Sequence, residues 1–553
     1  MTTLIPKFEQ PYTGAVNRPI NKKLEESLSI LDFGADPTGV ADSTAAIQAA
    51  VTAAGVGGTI YCPEGTYLLS DTIDCLVNQC LIGDGPNQTI FRRFTDYGNT
   101  LYFAQAGACQ IKGIWFYHGT MKTATENALT NLATSGAHVY LEDFQGCFIE
   151  ECWMWRMPYQ LFLDGGSLAK ITKCNIQGTW DTAYPAAQEG IAGITVGATT
   201  YSQIITVDKC YFGGSAGSSR TITWTASDGT SSYTGLVNAG NKYAINIAEA
   251  EDMIISNSYM GGNSISNILI DPRASAICQG IRIHNNFIDG AGPQNANVTL
   301  STQSDGTYSS GVTISNNFFT GQLICLHAIE ITNNLGTQPA CVDFTITGNA
   351  FNAFVGTLIP FNDARSGTIS GNSFCAYNAK NTSAGGDLNY CAAVYVTTNS
   401  LNLTFSGNLV GGGTNSAASP SYCYRGIYID ASNTYSCVER GTMYVGGSSS
   451  GTVTSRIDKV VRVFTAAGNV TMTGTEDVLL INKTVGGTTQ VTPPTGDVHD
   501  GYVFTLKDAK GDAGTNPIQF IGNVDGVANP VYSTNYITRT LMKYGTVWYN
   551  LGN

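Results

Sequence analysis

Apolar residues recur at every second position through most of this chain, in short runs broken by Gly, Asn and Pro. That period predicts short half-buried strands and turns, with few helices. Within the pattern one motif repeats, apolar-x-x-(Asn/Cys)-x-apolar. It reads IEECWM, ITKCNI, VDKCYF, ISNSYM, IHNNFI, ISNNFF, ITGNAF, ISGNSF and FSGNLV. The fourth positions are Cys152, Cys174, Cys210, Ser258, Asn286, Asn317, Asn349, Asn372 and Asn408. Their separations are 22, 36, 48, 28, 31, 32, 23 and 36 residues. The shortest is what one minimal coil of a parallel β-helix needs, and the longer ones mean loops inserted into coils. Small polar residues at one position per coil then stack at about 4.8 Å, bonding one another or the turn backbone.

A second strand precedes many of these motifs, as in HVYLED, QLFLDG, GITVGA, AINIAE, NILIDP and GIYIDA. Each buries two apolar residues two apart. The residue after the second is expected to point outward, giving a column that includes Glu142, Asp164, Gly197, Ala248, Asp271, Ser301, Asn362, Thr397 and Asp430.

The ends differ from this middle. Residues 1–28 are polar and read as an arm or adaptor. In SILDFGADPTGVADSTAAIQAAV, Asp42 or Ser43 is placed to cap a helix with Ala46, Ile47, Ala50 and Val51 on its apolar face. The repeat fades after about residue 445, and GGSSSG at 446–451 reads as a linker. The expected organisation is an arm (1–28), a β-helix with its opening segment (29–450) and a small C-terminal β domain (451–553) for trimerisation or carbohydrate binding.

Charged residues are only 12% of the chain, against 43% hydrophobic, and the net charge is −13. No basic stripe is present to neutralise phosphates, which argues against nucleic acid. An acidic polysaccharide would need a local basic patch. There is no secretory h-region and no apolar run long enough for membrane insertion. The 15 cysteines lack CxxC pairs and zinc spacing, so they are expected to be small buried apolar residues. No metal or cofactor motif appears.

DFGADPTGVADSTAAIQAA followed by GGTIYCPEGTY resembles the opening of pectate-lyase-like β-helices, especially phage tailspikes and capsular polysaccharide depolymerases. The stretch before Ser29 resembles the short N-terminal arm of such tail proteins, and GNVTMTGTEDVLLINKTVGG to VWYNLGN resembles a C-terminal domain found on several of them. The resemblance implies an all-β, right-handed parallel β-helix assembled as a homotrimer in the cytoplasm of a bacterial host. It implies a place on the virion tail, docked to a tail or baseplate protein through the arm. The implied substrate is the polysaccharide of the bacterial surface. No catalytic motif carries over residue by residue.

Cleaving a polysaccharide takes either two carboxylates, for hydrolysis, or a base beside a uronate, for elimination. The cluster AEAED places Glu249, Glu251 and Asp252 within one turn, and one coil on stand Asp271 and Arg273. Glu249, Asp252 and Asp271 are therefore the expected catalytic carboxylates; the competing reading is a solvated acidic turn with a local ion pair. Long insertions at 177–192 and 213–242 carry Trp180, Trp224 and Tyr233, which suit a sugar-stacking groove wall or loop packing. Arg273 is expected at the substrate. Arg282 and His284, both outward in GIRIHNN, are the best seed for elimination. The expected function is a tailspike depolymerase acting by hydrolysis; the alternatives are a lyase on the same fold and a glycan-binding adhesin without catalysis.

Overall fold

The computed structural model describes all residues except 1–6, 25–27, 95–97, 119–135, 179–189, 214–218, 226–231, 239–240, 291–295, 303–306, 322–324, 334–338, 353, 355, 376–391, 398, 412–424, 430–437, 441–442, 446–460, 467, 473–475, 495–500 and 553. For residues 24, 219–225, 232–238, 392, 411, 425–426, 428–429, 438–440, 443–445 and 461 it describes the backbone alone.

The chain winds into a parallel β-helix. Each coil contributes strands to three faces. In one coil they are Ala192–Val196, Ser202–Asp208 and Tyr211–Gly213; we call the faces they lie on the first, second and third. In the next coil they are Tyr243–Ile247, Ile254–Ser256 and Tyr259–Met260, each paired parallel with its predecessor. The first and second faces join in one 28-stranded sheet, and the third is a separate 14-stranded sheet. Two 14-residue strands, Ala137–Glu150 and Tyr159–Thr172, run from the first face to the second without a break.

Stacking carries the alternating pattern directly into the core. On the third face Phe116, Met154, Ile176, Phe212, Met260, Ile288, Phe319, Phe351 and Phe374 all point inward and are buried. Phe319, Phe351 and Phe374 stack ring on ring, with centroids 5.0 and 5.1 Å apart.

The recurrent polar position forms a continuous internal ladder at the turn between the second and third faces. Asn317 accepts from the Asn286 backbone N–H (2.9 Å) and side-chain amide (3.0 Å), and its own amide donates to the Ile283 carbonyl (2.9 Å) and to Asn349 (3.0 Å). The same bonds repeat through Asn349, Asn372 and Asn408. Further up, Cys152, Cys174 and Cys210 make weaker contacts to carbonyls of their own and the preceding coil, at 3.3–3.7 Å. Ser258 joins the two halves: it donates to the Ser256 carbonyl, accepts from Cys210 N–H at 3.0 Å, and its own N–H donates to Asn286. The residue before each ladder position adopts the left-handed conformation, from Glu151 (φ 54°) and Lys173 (φ 56°) to Asn316 (φ 55°) and Gly407 (φ 58°). This turn explains why the third motif position drifts from Glu and Lys to Asn and Gly, the residues that take that conformation at least cost.

The N-terminal end is closed by the helix Thr44–Ala54, with Ile47, Ala50 and Val51 buried. Of the two cap candidates, Asp42 accepts the Thr44 N–H at 3.0 Å, while the Ser43 hydroxyl accepts instead from Asp36 N–H at 2.9 Å. Asp36 knits the preceding turn. It accepts from the backbone of Ala41 (2.6 Å) and from both the N–H and hydroxyl of Thr38, and these donors, Ala41 foremost, lower its carboxyl to about 2. Buried Gln79 closes the other helix end by donating to the Val51 and Gly55 carbonyls.

Residues 1–435 with 443–453 form one compact unit, and 436–442 with 454–553 form a second. In the first, before the helix, Lys7–Phe8 pairs antiparallel with Arg18–Pro19. The second unit has its own core, built on Leu479, Val491, Phe504, Phe520, Leu541 and Trp548. The 12 described cysteines are all free, and ten of them are buried.

Candidate functional site

The corner between the first and second faces is where the coils leave regular geometry. Asp143, Gly165, Gly197 and Asp252 all have left-handed backbones there. At Gly166 a Cβ would lie 2.3 Å from the Phe144 carbonyl oxygen, so only glycine lets these two coils close up. The corner opens into a concavity of about 580 Å³, lined by Gln105, Asp143, Gln145, Thr200 and Tyr201 among others. Asp143, Gln145 and Thr200 are exposed.

The carboxylates along this corner fall into distinct environments. Asp164 is only 2% exposed. It accepts from the backbone N–H groups of Thr199 (3.0 Å) and Thr200 (2.8 Å) and from the Thr199 hydroxyl. It therefore turns into the corner as a turn cap instead of pointing outward. Glu142, its register neighbour, accepts from the Tyr102 hydroxyl. The two carboxylates thus have separate partners and do not form a shared acidic pair. Asp271, at 9% exposed, is likewise tucked in and not part of an outward column. Ala248 and Gly197 hold their places as neighbouring corner positions, and Asp430 lies outside the described residues.

Next along the corner comes the acidic turn. Glu249 is ion-paired with Arg273 of the following coil. Glu251 accepts a hydrogen bond from Tyr201 of the preceding coil, the same Tyr201 that lines the concavity. Burial first, and the Glu251 carboxylate second, raise the Tyr201 hydroxyl to about 12. Asp252 is exposed; its N–H donates to the Gln279 carbonyl at 3.0 Å. One side of the turn is thus committed to an ion pair, while Glu251 is tied through Tyr201 to the concavity and Asp252 is exposed beside it.

The remaining candidates divide. Arg282 is exposed and His284 half-buried, both on the outer side of the second face, as the alternation predicts. Arg282 lies in register between Ile254 and Thr313, and His284 between Ser256 and Ser315. This is the flat of the second face, beyond the corner, so the structure does not gather them with the acidic turn. Trp224 and Tyr233 face each other in backbone register on an antiparallel hairpin, Ser219–Thr225 with Ser232–Asn238. Their side chains, and all of Trp180, lie outside the described residues. Tyr201 is the site residue that sequence reasoning passed over. The sequence signal was an exposed aromatic directly before a second-face strand, one coil away from AEAED. Among the described residues no cluster of three or more His, Cys, Asp or Glu is arranged to hold a metal ion.

Residues 27–139 match the model of the rhamnogalacturonase A/epimerase, pectate lyase-like family. The tailspike protein of E. coli bacteriophage HK620, solved as a point variant in complex with a pentasaccharide, superposes with a TM-score of 0.53. It shares 14% identity, over 93% of this chain and 84% of that one. The chain has the fold of a right-handed parallel β-helix, and its opening segment is similar to that of the pectate-lyase-like family. Two other β-helical neighbours are the catalytic unit of a thermostable α-1,3-glucanase from Streptomyces thermodiastaticus and the Streptococcus pneumoniae surface protein and adhesin PfbA. The glucanase shares 14% identity over 76% of this chain and 69% of its own, with a TM-score of 0.47. PfbA shares 13% identity over 76% of this chain and 97% of its own, with a TM-score of 0.45. At these identities the likeness is one of fold. No curated protein sequence matches the chain. Among the described residues no helix is long and apolar enough to cross a membrane.

Proposed function

We propose that this chain is a phage tailspike depolymerase that hydrolyses the surface polysaccharide of a bacterial host. The glycan lies along the corner between the first and second faces. One observation carries the reading: Tyr201 lines the concavity and is hydrogen-bonded to Glu251, so an open groove and an accessible carboxylate turn meet at one residue. The shared fold with a tailspike bound to a pentasaccharide supports it. Of the carboxylates that the sequence singles out, Asp252 is exposed and pairs with Glu251 as the acid and base of the reaction. Glu249, held by Arg273, and Asp271, tucked into the corner, position the turn. Hydrolysis needs one carboxyl to protonate the leaving oxygen and one carboxylate to activate water or attack the sugar. Tyr201 serves as a hydrogen-bond donor and not as the proton-abstracting base of an elimination, because a hydroxyl raised to about 12 keeps its proton at neutral pH.

In this reading the protein assembles as a homotrimer and docks to the phage tail through its N-terminal arm. Its C-terminal β unit serves trimerisation or carbohydrate binding. The test is to incubate purified protein with a panel of capsular and O-antigen polysaccharides and follow new reducing ends and chain length. Cleavage with saturated products, lost in Glu251→Gln or Asp252→Asn, is the expected result. Unsaturated uronate ends would overturn hydrolysis and move the chemistry to Arg282 and His284. Glycan binding without any cleavage would make the protein an adhesin.

A further inference from the structure

On the third face, away from the corner groove, Arg92, Tyr117 and Trp155 stand in register in three successive coils, with Trp115 and Trp153 in the column beside them. Trp155 stacks on Trp153 (centroids 5.5 Å, 7° between planes) and meets Trp115 edge-on at 4.7 Å. Three of the chain's six tryptophans therefore share one patch. Two guanidinium groups lie over the Tyr117 ring, Arg92 at 6.0 Å and Arg156 at 5.5 Å, and Arg156 also donates to the Tyr117 hydroxyl at 3.1 Å.

The charge of this patch is out of keeping with the rest of the chain. Arg273, Arg365 and Arg462 each pair with a carboxylate. Among the described residues neither Arg92 nor Arg156 does; their partners are aromatic. Two cations with no carboxylate partner among the described residues thus flank the Tyr117 ring, on a protein of net charge −13. The indole N–H groups of Trp115 and Trp155 and the Nε–H of Arg92 are shielded from solvent and meet no acceptor among the described residues. Two guanidinium groups flanking one ring, beside half-exposed tryptophans, call for a ligand with negative charge and an apolar face.

We propose that this patch is a second glycan site, specific for an acidic sugar unit: a pyranose whose carboxylate is held by Arg92 and Arg156 while its C–H face packs on the tryptophans. It would hold an acidic glycan on a different face of the helix from the corner groove. It stands whether or not that groove cleaves anything.

The test is direct binding to the full chain, read by tryptophan fluorescence and calorimetry. The probes are trigalacturonate, a glucuronate oligomer and a sialylated oligosaccharide, with maltotriose as the neutral control. At least one acidic probe is expected to bind, to shift the fluorescence and to weaken as salt is raised. Maltotriose is expected to bind at least about tenfold more weakly. Arg92→Gln with Arg156→Gln is expected to remove the acidic preference, and Arg462→Gln, which removes a cation from the C-terminal unit, to leave it intact. Equal affinity for acidic and neutral probes, no binding by any acidic probe, or unchanged binding in the double variant overturns the proposal. The acidic-to-neutral comparison and the salt dependence use the unaltered protein, so they decide the question even if the double variant misfolds. Failure of cleavage at the groove leaves these binding results unchanged.

Discussion

The Tyr201 hydroxyl donates to the Glu251 carboxylate of the next coil, while the Tyr201 ring lines the corner concavity. This bond is made between coils, so it depends on the stacking register as much as on either residue. Ser202 and Gln203 pair with Ala250 and Glu251, which brings the hydroxyl to the carboxylate. If Glu251 does acid–base work, Glu251→Gln lowers the rate of reducing-end release by about a hundredfold or more, the usual contribution of such a group. Tyr201→Phe leaves the carboxylate in place without its donor, and is expected to cost about tenfold with little change in melting temperature. Full activity in Glu251→Gln would remove the acidic turn from the mechanism.

The internal ladder is expected to carry stability unevenly. Asn317→Ala takes the Asn317 partner from the buried backbone N–H of Asn286, from one of the two N–H groups of its amide, whose other N–H keeps the Ile255 carbonyl, and from the carbonyl of Ile283. Each buried group left unpaired costs about 1–3 kcal/mol, so a loss of about 3 kcal/mol or more is expected. Cys174→Ala removes only long thiol contacts of 3.5 and 3.6 Å and a small apolar group, and is expected to cost about 1 kcal/mol. Denaturant midpoints of the two variants check this; equal losses would mean that the Asn bonds add nothing beyond packing.

The fold was readable because β-helix stacking writes itself into the sequence. The same turn recurs in each coil, so Cys152 and Asn408 stand in equivalent places although 256 residues separate them. The site was read only in part. Alternation correctly placed Arg282 and His284 outside, because a strand's period of two fixes which face a side chain takes. The same rule failed at Asp164 and Asp271, which follow the last inward residue of a strand. There the chain has entered the corner, and the side chain turns to meet backbone N–H groups or burial. Tyr201 was invisible for a different reason: its partner Glu251 is 50 residues away, and the insertion at 213–242 hides the register that joins them.

The pairing of Glu249 with Arg273 predicts a coupling that a solvated acidic turn would lack. The Glu249 side chain is 15% exposed and that of Arg273 is 34% exposed, so the pair is only partly screened by solvent. A double-mutant cycle with Glu249→Gln and Arg273→Gln is expected to give a coupling of about 1 kcal/mol, measured from denaturant midpoints. Activity should fall less in either variant than in Glu251→Gln. A coupling near zero would return Glu249 to the pool of free carboxylates and reopen its role as the acid.

Acid sensitivity should trace in part to one interior histidine. His138 is fully buried; its Nε2 donates to the Trp155 carbonyl at 2.7 Å, and its Nδ1 accepts from the Thr100 hydroxyl at 3.2 Å. Both ring nitrogens are satisfied by the neutral form, and burial above all lowers the ring to about 3 from its usual 6.5. In the unfolded chain this histidine takes up a proton near pH 6.5, whereas in the folded chain it does not until about pH 3. The unfolded state therefore binds more protons across that window, and stability rises with pH through it. The contribution is complete above about pH 6.5 and is lost as the pH falls toward 3, with a slope of about 1.4 kcal/mol per pH unit from this group alone. His138→Gln lacks the titration. Stability measured for both proteins between about pH 7 and about pH 4 should therefore fall more steeply in the unaltered protein, by about that slope. Parallel pH profiles would show that His138 carries a proton in the folded chain, against the arrangement of its two hydrogen bonds.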